Sequence, residues 1–221
     1  MLDNLFLYSR AWRHGLIHPL YVPSELRQVR AFLSQGDLSA AINELLTRAR
    51  LGSNSAAATL DYICLRQPSL PLVEYELTEK LCRAAANRSY PYAQYVVACR
   101  EYQQGNYKSY ARWLHRAARR NFPPAISDLG RAVLEASSNR AHGFLAKRCF
   151  RRALMRGHLL SVLYFLRACK EGKFSGGTSI LGHLAFPLAL LCITPICRLR
   201  PFSAGVFSHP FGLQRPLFAS L

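Results

Sequence analysis

Acidic residues are scarce in this chain: Asp and Glu number 12 against 29 Lys and Arg, a formal net charge of +17. An excess of this size bears on partners and location rather than on fold. Lysine is scarce too. Lys80, Lys108, Lys147, Lys170 and Lys173 are the only ones, so guanidinium groups carry the positive charge. Arginine is weakly hydrated, planar and suited to forked contacts with phosphates and carboxylates. With so few acids, carboxylate chemistry has few candidates. Glycine-rich phosphate loops, a nucleophile elbow and paired carboxylates in an acid/base setting are also missing. These absences leave no catalytic residue to name, and the expectation is a non-enzymatic protein without a cofactor.

Paired cysteines are missing as well. Cys64, Cys82, Cys99, Cys149, Cys169, Cys192 and Cys197 are scattered without a CxxC. An odd, unclustered set argues against a disulfide framework and for a reducing compartment, and Cys82 and Cys99 read as small core residues. His14 and His18 are four apart, but no Glu stands between them, Pro19 follows, and no third ligand is evident. They read as structural or solvent histidines, so no metal is expected. Cys192 and Cys197, with His183 nearby, fit apolar filler, a lipidated thiol or a metal site. A secretory signal is not legible, because Asp3, Arg10, Arg13 and His14 interrupt residues 1–21. The body is expected to be cytoplasmic.

Half of the residues are hydrophobic, which excludes general disorder, and strand signals are absent. The order in the sequence is a repeat. Arg116-Ala117-Ala118-Arg119-Arg120-Asn121 aligns with Arg152-Ala153-Leu154-Met155-Arg156-Gly157 at an offset of 36. Arg83-Ala84-Ala85-Ala86-Asn87 and Arg48-Ala49-Arg50-Leu51-Gly52 continue the pattern upstream. The blocks end at Gly52, Asn87, Asn121 and Gly157, spaced by 35, 34 and 36. Gly and Asn tolerate the left-handed conformation that closes a helix. Gly36-Asp37, residues 68–71, Gly105-Asn106 and Ser138-Asn139 divide each unit again. Pro71, Pro91, Pro123 and Pro124 stand where helices begin. Ala41, Leu45 and Leu46, then Tyr110, Trp113, Leu114 and Ala117, are spaced as one helix face. The expected fold is all-α: about nine helices over residues 24–171, paired as helix-turn-helix units and stacked as an α-α superhelical solenoid.

The string Ala93-Gln94-Tyr95-Val96-Val97-Ala98, then Gly105, then Trp113-Leu114-His115-Arg116-Ala117-Ala118-Arg119-Arg120-Asn121 resembles the Sel1-like repeat, a cousin of the tetratricopeptide repeat. Ala125-Ile126-Ser127-Asp128-Leu129-Gly130 matches that family's first-helix pattern. Two units over residues 90–157 carry the likeness, and the flanking units are weaker. The glycine-rich loop common in the family shrinks here to Gly105 and is missing near Ser138. The resemblance implies a non-enzymatic scaffold that binds a protein partner along a concave face, as bacterial members do in envelope and secretion systems. On that reading Tyr95, Cys99, Tyr102, Asp128 and Arg131 are the candidate groove residues.

The basic excess is concentrated and ordered. Residues 102–170 hold fourteen Lys and Arg, with Asp128 and Glu135 the sole acids. Arg112, Arg116 and Arg120 step by four along one helix, and the repeat offset carries them onto Arg148, Arg152 and Arg156. Like charges at this spacing repel by about 0.2–0.5 kcal/mol per pair. The two rows fit either a solvated outer face or a docking surface for anionic lipid, an acidic protein or nucleic acid. Aromatics are not interleaved for base stacking, which places nucleic acid last.

The termini differ from the body. In residues 1–22, Leu2, Leu5, Phe6, Tyr8, Trp12 and Leu16 follow a helical stripe expected to dock on the first repeat. Repeats occupy residues 23–172, and residues 173–221 form a linker and an apolar tail, the linker signal being Gly172 to Ser179. Residues 174–197 carry no formal charge, so 180–197 reads either as an anchor in the cytoplasmic (inner) membrane or as a cap on the open end of the solenoid. Gly182, His183, Pro187 and Pro195 weaken a span. The expectation is a membrane-associated adaptor, with an RNA-binding helical repeat as the alternative.

Overall fold

The computed structural model describes residues 24–35, 37–66, 74–136, 140–156, 158 and 160–174. Among these residues there is no strand. A 3-10 turn (Ser24–Leu26) leads into nine α-helices: α1 (Arg27–Gln35), α2 (Leu38–Arg50), α3 (Asn54–Arg66), α4 (Tyr75–Asn87), α5 (Pro91–Gln103), α6 (Tyr107–Arg119), α7 (Pro123–Ala136), α8 (Arg140–Leu154) and α9 (Leu160–Lys170). The chain divides after Tyr110 into two compact units. The helix α6 begins in the first and continues into the second.

One joint recurs through the chain. After α2, Gly52 takes φ +92°, its N–H donates to Ala49 O, and the Ser53 N–H reaches back to Arg48 O. This is the Schellman closure, in which a left-handed residue lets two orphan carbonyls at the helix end find donors. Gly105 (φ 77°) closes α5, Asn121 (φ 64°) closes α6 and Gly172 (φ 67°) closes α9 with the same two bonds. In four joints the residue after the left-handed one opens the next helix. Ser53, Tyr90, Asn106 and Phe122 accept through their carbonyls from Ala57, Gln94, Tyr110 and Ile126. A three-residue turn thus both ends one helix and starts another, and across two of these turns α2 packs on α3 and α4 on α5. Elsewhere the Asp37 carboxylate caps α2 by accepting from the Ala40 N–H at 2.9 Å, and Pro91 sits at the start of α5.

The stop expected at Asn87 falls elsewhere. Asn87 is the last residue of α4, and Ser89 (φ 68°) takes the left-handed position, donating to Ala86 O while Tyr90 donates to Ala85 O. Ala85 and Ala86 are buried and fix the last turn of α4, so the closure falls on Ser89, three residues after the Ala86 carbonyl to which it donates. A serine there carries the Cβ penalty that glycine avoids. Ser89→Gly is therefore expected to stabilise the protein by about 1 kcal/mol, read as a rise in thermal midpoint. Gly36, Gly157, Ser138, Asn139 and residues 68–71 lie outside the described residues.

In the first unit each helix packs on the next, α1 on α2 through α4 on α5, while α2 also meets α4 and α3 meets α5. Contact between alternate helices is what stacked hairpins produce. The burial pattern follows. Every residue of α3 from Ser55 to Cys64 is buried, and an apolar helix with small residues all round belongs in an interior. Ala56, Ala57 and Ala58 leave room for neighbours on several sides. α5 is buried almost as completely, through Tyr92, Ala93, Val96, Val97, Ala98 and Cys99.

In the second unit α7 packs on α8 and α8 on α9. Leu134, Ala146, Phe150, Ala168, Cys169 and Phe174 form one cluster. A Cβ added to Gly130 would meet Cys149 Cβ at 3.0 Å and the Ala146 carbonyl oxygen at 3.3 Å, so the glycine is what lets α7 approach α8. Phe174 departs from the linker expected for that stretch. It is 4 % exposed, its ring centroid lies 5.3 Å from that of Phe165, and the Lys147 ammonium stands 4.9 Å over it. The Gly172 closure turns the chain back and seats this ring.

Candidate functional site

The arginine rows occupy α6 and α8 in the second unit. α6 buries Tyr110, Leu114, Ala117 and Ala118, which leaves Arg112, Arg116, Arg119 and Arg120 exposed on its other side. α8 buries Ala146, Phe150 and Ala153 and exposes Arg148, Arg151 and Arg152, with Arg156 following in the turn. Arg112, Arg116, Arg120, Arg148, Arg152 and Arg156 are thus all solvent-facing. One bond links the two helices' segments: Arg152 Nη2 donates to the Asn121 side-chain oxygen, at the closure of α6. The Arg116 guanidinium lies 4.7 Å over the Trp113 ring, which orients it without neutralising it.

The acids of this unit are elsewhere and engaged. Asp128 pairs with Arg131 at 3.3 Å, and Glu135 stands 3.8 Å from the same guanidinium. Glu171 pairs with Arg167 at 2.7 Å and Lys173 at 2.9 Å. Neither α6 nor α8 contains an Asp or Glu. Their exposed surface is of one sign, and repulsion along each row is relieved only by screening or by an anion.

Of the groove candidates, Tyr95, Cys99 and Tyr102 lie on α5 in the first unit. Tyr95 is half-buried, Cys99 is buried, and the Tyr102 ring packs edge-on against Tyr107 at 5.7 Å and Tyr110 at 5.2 Å. Asp128 and Arg131 lie on α7 in the second unit. Asp128 is buried, and Arg131, held by its two carboxylates, also sits 4.9 Å over the Tyr164 ring. Tyr95 and Tyr102 on α5, and Arg131 on α7, are the ones with surface to offer.

Sequence reasoning missed two buried polar groups, one per unit. In the first, Asp61 on α3 is completely buried and pairs with Arg100 on α5. Arg100 also lies 3.4 Å from Glu79 on α4, Glu79 pairs with Arg83 at 2.8 Å, and Arg83 reaches Glu101 at 2.7 Å. Asn106 Nδ2 donates to the other Glu101 oxygen at 3.2 Å. Burial pushes the Asp61 carboxyl up, and the Arg100 guanidinium pulls it part of the way back. Arg83 and Glu101 are 18 residues apart in sequence, and Asp61 and Arg100 are 39 apart, so no local pattern announces these two pairs.

In the second unit His158 Nδ1 lies 2.7 Å from Ser161 Oγ, which donates to Ser127 Oγ at 3.1 Å. The residue types suggest a nucleophile and its base, but the setting does not. Ser127 and Ser161 have no exposed surface and His158 is 4 % exposed, so no substrate reaches the hydroxyls. Burial lowers the imidazole to about 4, against a smaller upward pull from Asp128. The group ties α7 to the start of α9.

The described cysteines are all free thiols. Burial raises Cys64 to about 11 and pushes Cys82 well up, which leaves neither as a reactive thiolate. No cluster of His, Cys, Asp and Glu among the described residues could hold a metal. No helix among them is long and apolar enough to cross a membrane. Residues 180–197, His14, His18, His183, Cys192, Cys197 and the stripe of residues 1–22 lie outside the described residues. No family model, curated protein or solved structure matches the chain, so the Sel1-like resemblance rests on the residues quoted for it.

Proposed function

We propose that the chain is a non-enzymatic adaptor: a superhelical stack of Sel1-like helical hairpins that binds a protein partner while its arginine rows hold it against an anionic membrane surface. The observation that carries this reading is the one-signed surface of α6 and α8. Six row arginines are exposed there, and the unit's acids are consumed by Arg131, Arg167 and Lys173. A surface of one sign on both α6 and α8 is what contact with an anionic partner calls for. Partner binding falls to the first helices of each pair, with Tyr95, Tyr102 and Arg131 as contacts and Cys99 and Asp128 supporting them from within. Residues 180–197 would add an apolar anchor on the cytoplasmic side of the inner membrane.

Fractionation of cells expressing the full chain tests the reading. The wild type is expected in the membrane pellet, resistant to nuclease. A variant with Arg112, Arg116, Arg120, Arg148, Arg152 and Arg156 all changed to Gln is expected to shift toward the supernatant, since each basic residue near an anionic surface contributes about 1 kcal/mol. Release of the wild type by nuclease would move the rows to the RNA-binding reading. Equal pelleting of wild type and variant would remove the rows from membrane attachment.

A further inference from the structure

The outward side of α8 is not purely basic. Phe144 is 67 % exposed, Leu145 48 % and Met155 77 %, and they share an arc with the exposed Arg148, Arg151 and Arg152. At 100° per residue these six side chains span about 120° of the helix, opposite the buried Ala146, Phe150 and Ala153. Met155 stays on this arc although it follows the last residue of α8, because its N–H still donates to Arg151 O at 2.9 Å. The described core of the unit is filled from the other side, so burial among the described residues does not account for the three apolar groups. α6, by contrast, exposes arginines with His115 between them and no aliphatic side chain.

We infer that α8 is an interfacial lipid-binding helix: Phe144, Leu145 and Met155 enter the acyl boundary of an anionic bilayer while Arg148, Arg151 and Arg152 bond the phosphates around them. The inference rests on the membrane reading above and names the element that makes the contact. Its warrant is chemical complementarity in two parts. A helix that lies in a membrane interface needs large apolar groups beside cations on one solvent-facing side. Arginine meets the geometry because its stem covers apolar surface while the guanidinium reaches a phosphate. RNA satisfies the cations but offers nothing to Leu145 and Met155, whose side chains have no ring face for a base to stack on.

The full chain is sedimented with vesicles of phosphatidylcholine alone and with vesicles containing phosphatidylserine. Wild type is expected to bind the second kind preferentially. Changing Arg148, Arg151 and Arg152 to Gln is expected to weaken that binding by about a hundredfold. Changing Phe144, Leu145 and Met155 to Gln is expected to weaken it by about tenfold or more and to make the remainder removable by salt, because only the electrostatic part is left. Leu51→Gln removes an exposed leucine of the first unit (83 %) and is expected to change nothing. All substituted side chains are exposed, so circular dichroism is expected to match the wild type. If the apolar triple variant binds as wild type does at every salt concentration, the inference is overturned and the membrane reading stands. Equal binding to both vesicle types places attachment away from this face, and likewise overturns it. Failure of the wild type to bind either vesicle sinks the membrane reading itself. Preference of the wild type for RNA over vesicles at equal phosphate assigns the face to nucleic acid.

Discussion

Arg100→Met is expected to destabilise the protein by about 3–5 kcal/mol, because it leaves a buried carboxylate without its counter-ion. Asp61 has no exposed surface, and Arg100 is the cation paired with it, so the substitution strands the charge in an interior. Burial raises the Asp61 carboxyl above its ordinary value of 3.8 even in the wild type. A folded-state value above the unfolded one means that the folded chain holds the proton longer. Stability then falls as pH rises through that value and returns on acidification. Without Arg100 the burial effect is unopposed, so the variant should regain stability as pH drops from neutral toward the carboxylate range. Asp61→Asn in the same background should recover most of the loss. A loss under about 1 kcal/mol that does not vary with pH would mean that the pair is solvated.

The second unit should respond to acid in the opposite direction. Burial pushes the His158 imidazole down to about 4 in the folded chain, from its ordinary value of 6.5, so between those limits the unfolded chain takes up a proton that the folded chain refuses. Stability is present above about pH 6.5 and is lost as pH falls toward 4, by about 3 kcal/mol in all. His158→Asn keeps a polar group near Ser161 and removes the titration. Its chemical-denaturation midpoint should therefore change much less over this pH range than the wild type's. Parallel curves for the two proteins would show that the imidazole is not the group responsible. Backbone amides of α7 and α9, which the Ser127–Ser161 bond joins, are the ones to follow.

How far the sequence foretells this depends on the distance over which each signal acts. Helix identity and the joints are local. Gly52, Gly105 and Asn121 take the left-handed positions that their residue types allow, and Pro91 and Pro123 open α5 and α7. Ser89 escapes because it carries the conformation without the residue type that signals it. The exposure of the arginine rows is semi-local: a step of four sets their common side, and the repeat offset carries it from α6 to α8. The ion network of α3, α4 and α5 is not local at all. Asp61, Glu79 and Arg100 read as ordinary charges until the stacking of hairpins brings them together in an interior. Phe174 is a related case, since its glycine-rich surroundings signal a turn while the ring's destination depends on Phe165 and Lys147. Phe144 and Leu145 carry no mark in the sequence, and only the rotation of α8 shows that they face out.

Hydrogen exchange of the full chain, with and without phosphatidylserine vesicles, tests the outward arginine face most directly. The predicted result is slower exchange on vesicle addition in peptides covering α6 and α8, with α3 and α5 unchanged because they are already enclosed. Slowing confined to residues 175–221, with α6 and α8 indifferent to lipid, would contradict it.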